Sequence, residues 1–99
     1  MATDSGHKLR VPDRVAELVR AFHPLLKVRI KAAFKMIIDD PYCGKPLRAE
    51  LEGLRSLRVK RFRIIYRLSI EKKIEIVAIG SWKNIYEETS RLIKPETNS

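Results

Sequence analysis

The sequence predicts an α+β fold: an N-terminal helical hairpin packed on a small, mainly antiparallel sheet of about four strands, followed by a C-terminal helix. Three observations predict it. Apolar residues recur at helical spacing in two short segments before position 40. Leu54 to Ile70 reads LRSLRVKRFRIIYRLSI, where Leu57, Val59, Phe62, Ile64, Tyr66 and Leu68 alternate on each side of Lys60-Arg61. Lys73 to Gly80, KIEIVAIG, repeats the alternation, and a helical pattern follows it.

Composition sets the bounds. A chain of 99 residues, 44% of them hydrophobic, is long enough for one domain with one modest core, and residues 1–99 are read as a single domain. Residues 1–6 and 95–99 are expected to be disordered. The net charge of +9 is the footprint of a polyanion binder or of a protein with an acidic partner. Cys43 is the only cysteine, so no disulfide closes within the chain and a reducing cytoplasm is expected. The polar start, Met1 to Lys8, lacks the apolar core of a signal peptide. No apolar run approaches the ~18 residues of a membrane span, so no membrane partner is expected.

In chain order, His7 to Val11 is a short strand candidate. Pro12 suits the first turn of a helix. Val15, Leu18, Val19 and Phe22 then mark the apolar face of a first helix, with Val11 placed to staple against Val15. Pro24 ends this helix, and His23 before it reads as structural. A second helix runs from about Leu25 to Ile38, with Leu26, Ile30, Ala33, Phe34, Ile37 and Ile38 inward and Lys27, Arg29, Lys31 and Lys35 outward. Asp39-Asp40-Pro41 stops it, and the segment to Pro46 reads as a loop.

The hairpin register follows from its pattern. With Lys60-Arg61 as a two-residue turn, Val59 faces Phe62, Arg58 faces Arg63 and Leu57 faces Ile64. A one-residue slip would scatter the apolar pairs between faces. The register also opposes two arginines. At roughly 5 Å and an effective dielectric near 20 their repulsion is about 3 kcal/mol, falling below about 1 kcal/mol in full water contact. Such a pair is either splayed into water or waiting for an anion, and the pair alone leaves both open.

For the third strand, a loop of Glu71-Lys72-Lys73 opposes Leu68 to Ile76, Tyr66 to Ala78 and Arg63 to Ser81. Arg58, Arg63 and Ser81 then form a row, with Trp82, Lys83 and Tyr86 directly after it. Cations beside aromatic rings suit a phosphodiester with an exposed base. Lys60 and Arg61 at the turn add substrate-binding charge. From Lys83 a last helix, NIYEETSRLI, is expected to cover Ile65, Val77 and Ile79 until Pro95 stops it.

No spacing of His, Cys, Asp or Glu matches a metal site, and no phosphate-cradling glycine loop or nucleophile elbow is present, so no cofactor is expected. Arg, Lys, Tyr and Trp remain. That set can cleave RNA without a metal. The 2′-OH attacks the adjacent phosphate, arginines stabilise the phosphorane, and a tyrosine or lysine moves protons. Such an enzyme relies on positioning and is expected to need a partner that orients the RNA.

The motifs Gly44-Lys45-Pro46-Leu47, Leu51-Glu52-Gly53-Leu54, Arg58-Val59, Phe62-Arg63-Ile64-Ile65-Tyr66 and Gly80 with Lys83 and Tyr86 resemble the RelE/ParE superfamily of toxins. The resemblance runs from the helical hairpin to Tyr86. It implies the toxin of a toxin–antitoxin pair. In the RelE branch this is a metal-independent endoribonuclease that cuts mRNA in the ribosomal A site and leaves a 2′,3′-cyclic phosphate. Arg63 matches that branch's arginine of the second hairpin strand, Arg58 its basic residue of the first strand, and Tyr86 its tyrosine after the last strand. Lys60, Arg61, Ser81, Trp82 and Lys83 are the accompanying substrate-binding set. The ParE branch shares the fold, poisons DNA gyrase and cuts no RNA; a degenerate RNA- or protein-binding module is a further alternative. An acidic or amphipathic antitoxin is the implied partner. Three positions depart from the pattern: Lys60-Arg61 lacks the usual turn glycine, Ser56 stands where a lysine is common, and Trp82 stands where an arginine is common.

Overall fold

The computed structural model describes residues 7–81 together with Ile85 and Thr89. The order is β1 (Lys8–Arg10), α1 (Asp13–Ala21), α2 (Pro24–Asp39), β2 (Lys45–Pro46), a 3-10 turn (Ala49–Leu51), β3 (Arg55–Val59), β4 (Phe62–Ser69) and β5 (Lys73–Ser81). The strands form one five-stranded sheet in the order β1-β5-β4-β3-β2, parallel between β1 and β5 and antiparallel elsewhere. The fifth strand is the addition to the expected four. Lys45–Pro46, expected as loop, pairs with Ser56 and Arg55. A proline lacks the N–H that a central strand must donate, so its place on the sheet edge is the one it tolerates.

The helices start and stop where their chemistry directs. Pro24 occupies the first turn of α2, and His23 caps it by accepting from the Leu25 amide at Nδ1, 3.1 Å away. Their inner faces supply Val15, Val19, Ile30, Ala33 and Ile37 to a core that includes Ile64, Tyr66, Ile74, Ile76 and Ile79 from the sheet. Leu18, expected inward, is exposed. The opposite sheet face buries Leu54, Ile65, Val77 and Ala78 with Ile85. Ile85 and Thr89 are both helical and fully buried, as expected for residues of the C-terminal helix, whose other positions lie outside the described residues.

The β3–β4 register is the one expected, with Arg58 opposite Arg63. The β4–β5 register differs. Ser69 pairs with Lys73, and Leu68 faces Ile74 rather than Ile76. A bulge follows between Ile65 and Tyr66, where Ile65 faces Ala78 and Tyr66 faces Ile76. Val77 is left without a strand partner opposite it, and its carbonyl accepts from Arg14 Nη2 of α1 at 2.6 Å. The bulge lets two consecutive residues, Val77 and Ala78, serve the outer core, and it turns Ile79 into the helix-side core instead of under the C-terminal segment. The chain turns through Ile70, Glu71 and Lys72 with left-handed φ at Glu71 (64°) and Lys72 (60°).

Tyr66 anchors the loop between α2 and β2. Its buried hydroxyl donates to the Pro41 carbonyl (2.7 Å) and accepts from the Gly44 amide (2.9 Å). A Cβ on Gly44 would stand 2.5 Å from that hydroxyl, so close approach is what requires glycine there. Arg55 Nη1 donates to the Gly44 carbonyl (2.7 Å), and the Arg55 Cζ lies 4.9 Å from the centre of the Tyr42 ring. Burial, the largest cause, pushes the Tyr66 phenol up from 10.0 to about 12.

Two outcomes follow from this anchor. Tyr66→Phe strands a buried donor and a buried acceptor and is expected to cost about 2–4 kcal/mol, read from urea unfolding; a loss under about 0.5 kcal/mol would show that the loop is held by other means. The raised phenol favours the protonated folded form. Its contribution is complete below pH 10.0 and is expected to disappear as pH rises toward about 12, read as falling stability and a late phenolate absorbance step.

Candidate functional site: a cationic hairpin end

The β3–β4 hairpin carries its charge at the turn end. Arg58 and Arg63 oppose each other one position from the end of the ladder, and Lys60 and Arg61 make the turn. Lys60 takes a left-handed φ of 57°, which the absence of glycine forces on a side-chain-bearing residue. The turn is held near the helical corner by Phe22 against Phe62, with ring centroids 5.2 Å apart.

The two arginines resolve their repulsion by diverging in environment. Arg58 is exposed, and its Nε donates to the Lys60 carbonyl at 3.2 Å. Arg63 is half-buried, and its Nη1 donates to the Ser56 hydroxyl at 3.1 Å. The Arg63 Nε is buried and has no hydrogen-bond partner among the described residues. Ser56 is itself 2% exposed. It faces Ile65, so it lies diagonally from Arg63 on one sheet face.

The carboxylate of Glu75 lies elsewhere. It accepts from Arg10 (3.1 Å) and from Arg67 (2.8 Å), a three-strand ladder at the opposite end of the sheet. Among the described residues, Arg58, Lys60, Arg61 and Arg63 make no ion pair. An arginine offers a fork of donors suited to phosphate.

A trough borders this end. One depression of about 410 Å³ is lined by Leu26, Arg58, Lys60, Arg61 and Phe62. Another, about 280 Å³, lies between α2 and β3 and is lined by Ala32, Met36, Leu57 and Val59 together with Arg29, Arg58 and Lys60. Because β2 pairs only with Arg55 and Ser56, the outer edge of Leu57, Arg58 and Val59 has no strand partner among the described residues. Val28 and Met36 on α2 are exposed nearby in sequence on the same helix.

The structure therefore brings together Arg58, Lys60, Arg61 and Arg63. It moves Ser81 out of the expected row: Arg63 faces Gly80, and Ser81 faces Phe62 and so points to the helix side. The bulge causes this, because one extra residue in β5 reverses the facing of everything after it. Trp82, Lys83 and Tyr86 lie outside the described residues. Ser56 was legible only as a missing lysine. The signal for its role was the diagonal relation to Arg63, which the hairpin register already contained. The described groups can bind and neutralise a phosphate; Tyr66, buried, bonded and raised to about 12, is no proton carrier for it.

Comparison with known proteins places these features in a family context. The family model for the ParE toxin of type II toxin–antitoxin systems, parDE, matches residues 12–86. No curated protein matches the chain. Among solved structures, the RelBE2 toxin–antitoxin complex of Mycobacterium tuberculosis matches at 25% identity and a TM-score of 0.67, covering 77% of this chain and 98% of that one. An arginine-to-alanine double mutant of Escherichia coli RelE in the free state matches at 16% identity and a TM-score of 0.72, covering 89% and 98%. The RelE–RelB complex of Pyrococcus horikoshii matches at 14% identity and a TM-score of 0.64, covering 77% and 94%. The last two likenesses are of fold.

The strained turn gives a direct check. Lys60→Gly removes about 1 kcal/mol of left-handed strain, partly offset by the greater freedom of glycine in the unfolded chain. The expected net gain is about 0.5 kcal/mol, or roughly 2–4 °C in the thermal midpoint. A lowered midpoint would show that contacts of the Lys60 side chain outweigh the strain.

Proposed function

This chain belongs to the ParE toxin family of type II toxin–antitoxin systems, and from that premise we propose that it arrests translation by cutting mRNA on the ribosome. One observation carries the reading: Arg58 and Arg63 are opposed at the hairpin end with no carboxylate paired to them among the described residues. A scissile phosphate supplies the missing negative charge.

In this reading the cut needs no metal. The 2′-oxygen loses its proton and bonds to phosphorus, charge builds on the equatorial oxygens, and the bond to the 5′-oxygen breaks as that oxygen takes up a proton. The products are a 2′,3′-cyclic phosphate and a free 5′-hydroxyl. Arg63 donates to the developing phosphorane, where preorganised donors act most strongly. Arg58, exposed beside it, holds the flanking backbone. Tyr86 is the proposed proton carrier, and the ribosome supplies the orientation of the RNA. Lys60, Arg61 and Lys83 add backbone charge, and Trp82 stacks on a base.

The partner of this toxin is an antitoxin, as in the neighbouring complexes. An acidic, amphipathic segment fits the α2–β3 trough, with apolar residues on Met36 and Leu57 and carboxylates on Arg29 and Lys60. Arg58 lines that trough, so a bound segment also covers the cationic end. No described helix is long and apolar enough to cross a membrane. A second reading, inhibition of DNA gyrase, is favoured by one observation. Ser56, where a lysine base is common, is buried against Arg63 and cannot take that role.

Mapping of mRNA 5′ ends on translating ribosomes separates the two. Cuts at a fixed A-site offset are expected, reduced at least a hundredfold in Arg63→Ala and in Tyr86→Phe. Uncut messages together with loss of gyrase supercoiling would replace this reading with the second.

A further inference from the structure

Several arginines of the sheet and of α1 have visible partners, and apart from the exposed Arg58, which bonds the Lys60 carbonyl in its own turn, they fall into two kinds. Arg10 and Arg67 share the Glu75 carboxylate, at 3.1 and 2.8 Å. Arg14 and Arg55 donate to backbone carbonyls, Val77 at 2.6 Å and Gly44 at 2.7 Å. These four do structural work: they neutralise charge or satisfy carbonyls. Arg63 is different. Its one side-chain partner among the described residues is a neutral hydroxyl, that of Ser56 at 3.1 Å.

Two further facts define what that hydroxyl does. Ser56 is 2% exposed, so its oxygen is not shared with bulk water. The Arg63 Nε is buried and unfilled among the described residues. A guanidinium free to rotate would turn that donor to water, since leaving it unmade costs about 1–3 kcal/mol. Its orientation is therefore held by its surroundings, and the Ser56 bond is the side-chain hydrogen bond among the described residues that can direct it.

We propose that Ser56 is the positioning residue of Arg63, a buried hydroxyl that orients the guanidinium toward a phosphate without cancelling its charge. The residue type matters for electrostatic reasons. A carboxylate at this place would also orient Arg63, but it would neutralise the charge that attracts the phosphate. A lysine would add charge but offers the guanidinium no acceptor, so it could not hold its direction. Alanine would keep the charge and lose the orientation. Serine alone among these holds the direction and keeps the full positive charge. The inference deepens the reading of Arg63 as a phosphate ligand and rests on it.

The test uses the full-length, antitoxin-free protein and a fluorescein-labelled single-stranded RNA dodecamer, with affinity measured by anisotropy across a potassium chloride series. Thermal melts of each variant run alongside. Ser56→Ala is expected to weaken binding about tenfold with an unchanged salt slope, because the number of cations meeting phosphate is the same. Ser56→Thr retains the hydroxyl and is expected to bind within about twofold of the unsubstituted chain. Ser56→Asp is expected to weaken binding further and to lower the salt slope by about 0.7, the loss of one single-strand phosphate contact. A residue with a merely structural role would move the melts and not this pattern.

The outcomes separate two failures. If Arg63→Ala weakens binding but Ser56→Ala does not, the positioning role is overturned and the phosphate role of Arg63 stands. If Arg63→Ala binds as the unsubstituted chain does, including no binding by either, the phosphate reading falls and this inference with it. If Ser56→Ala does not fold, the Thr and Asp variants decide: a folded Ser56→Thr as weak as Arg63→Ala, or a Ser56→Asp with undiminished affinity and slope, overturns the proposal.

Discussion

The register of the β3–β4 hairpin constrains everything around it. Leu57, Val59, Phe62, Ile64 and Tyr66 must share the helix-facing side of the sheet, because each supplies area to the core there or packs against it. A strand alternates faces, so the same choice sends Ser56, Arg58, Arg63 and Ile65 to the other side. Two arginines are thereby set opposite each other by the demand of the core. The molecule accommodates the like charges by leaving Arg58 in solvent and drawing Arg63 partly inward to a hydroxyl. The opposed cationic pair is thus a by-product of hydrophobic burial on the reverse face, set where the ladder ends.

The edge of the sheet is held by a different device. Tyr66 belongs to the core through its ring and to the loop after α2 through its oxygen. Because one hydroxyl satisfies both the Gly44 amide and the Pro41 carbonyl, the loop backbone is locked against β4. Arg55 then ties the Gly44 carbonyl to β3. These bonds leave β2 only two residues of pairing. The short edge strand is what leaves Leu57 to Val59 open beside α2, where the trough forms. The structural anchor and the trough are consequences of one loop geometry.

The bulge in β5 does the same for the opposite core. A regular ladder could not bury both Val77 and Ala78 on one side and Ile79 on the other. Spacing an extra residue into β5 permits it, and Arg14 from α1 satisfies the carbonyl at that position. The cost is borne by the row of polar side chains at the hairpin end: Ser81 is rotated away from Arg63. The site is accordingly a feature of one hairpin, with β5 contributing the close backbone of Gly80 opposite Arg63 rather than a hydroxyl.

Much of this was determined by local pattern. The two amphipathic helices, the alternation from Leu57 to Leu68 and the pairing of Arg58 with Arg63 follow from periodicity alone, because a core on one face admits a single register. The His23 cap and the Pro24 start are likewise short-range chemistry. The motifs that resemble the RelE/ParE superfamily are each short runs of neighbouring residues, which is why the toxin family is legible in the sequence. What local pattern could not determine was long-range. The β4–β5 register and its bulge depend on which face Val77, Ala78 and Ile79 must serve, and only the two packed cores decide that. The pairing of Lys45–Pro46 depends on Tyr66 pulling the loop in. The bond from Arg63 to Ser56 depends on a burial that neither residue type announces, since a serine and an arginine in a basic stretch look like solvated surface until the opposite side of the sheet is filled.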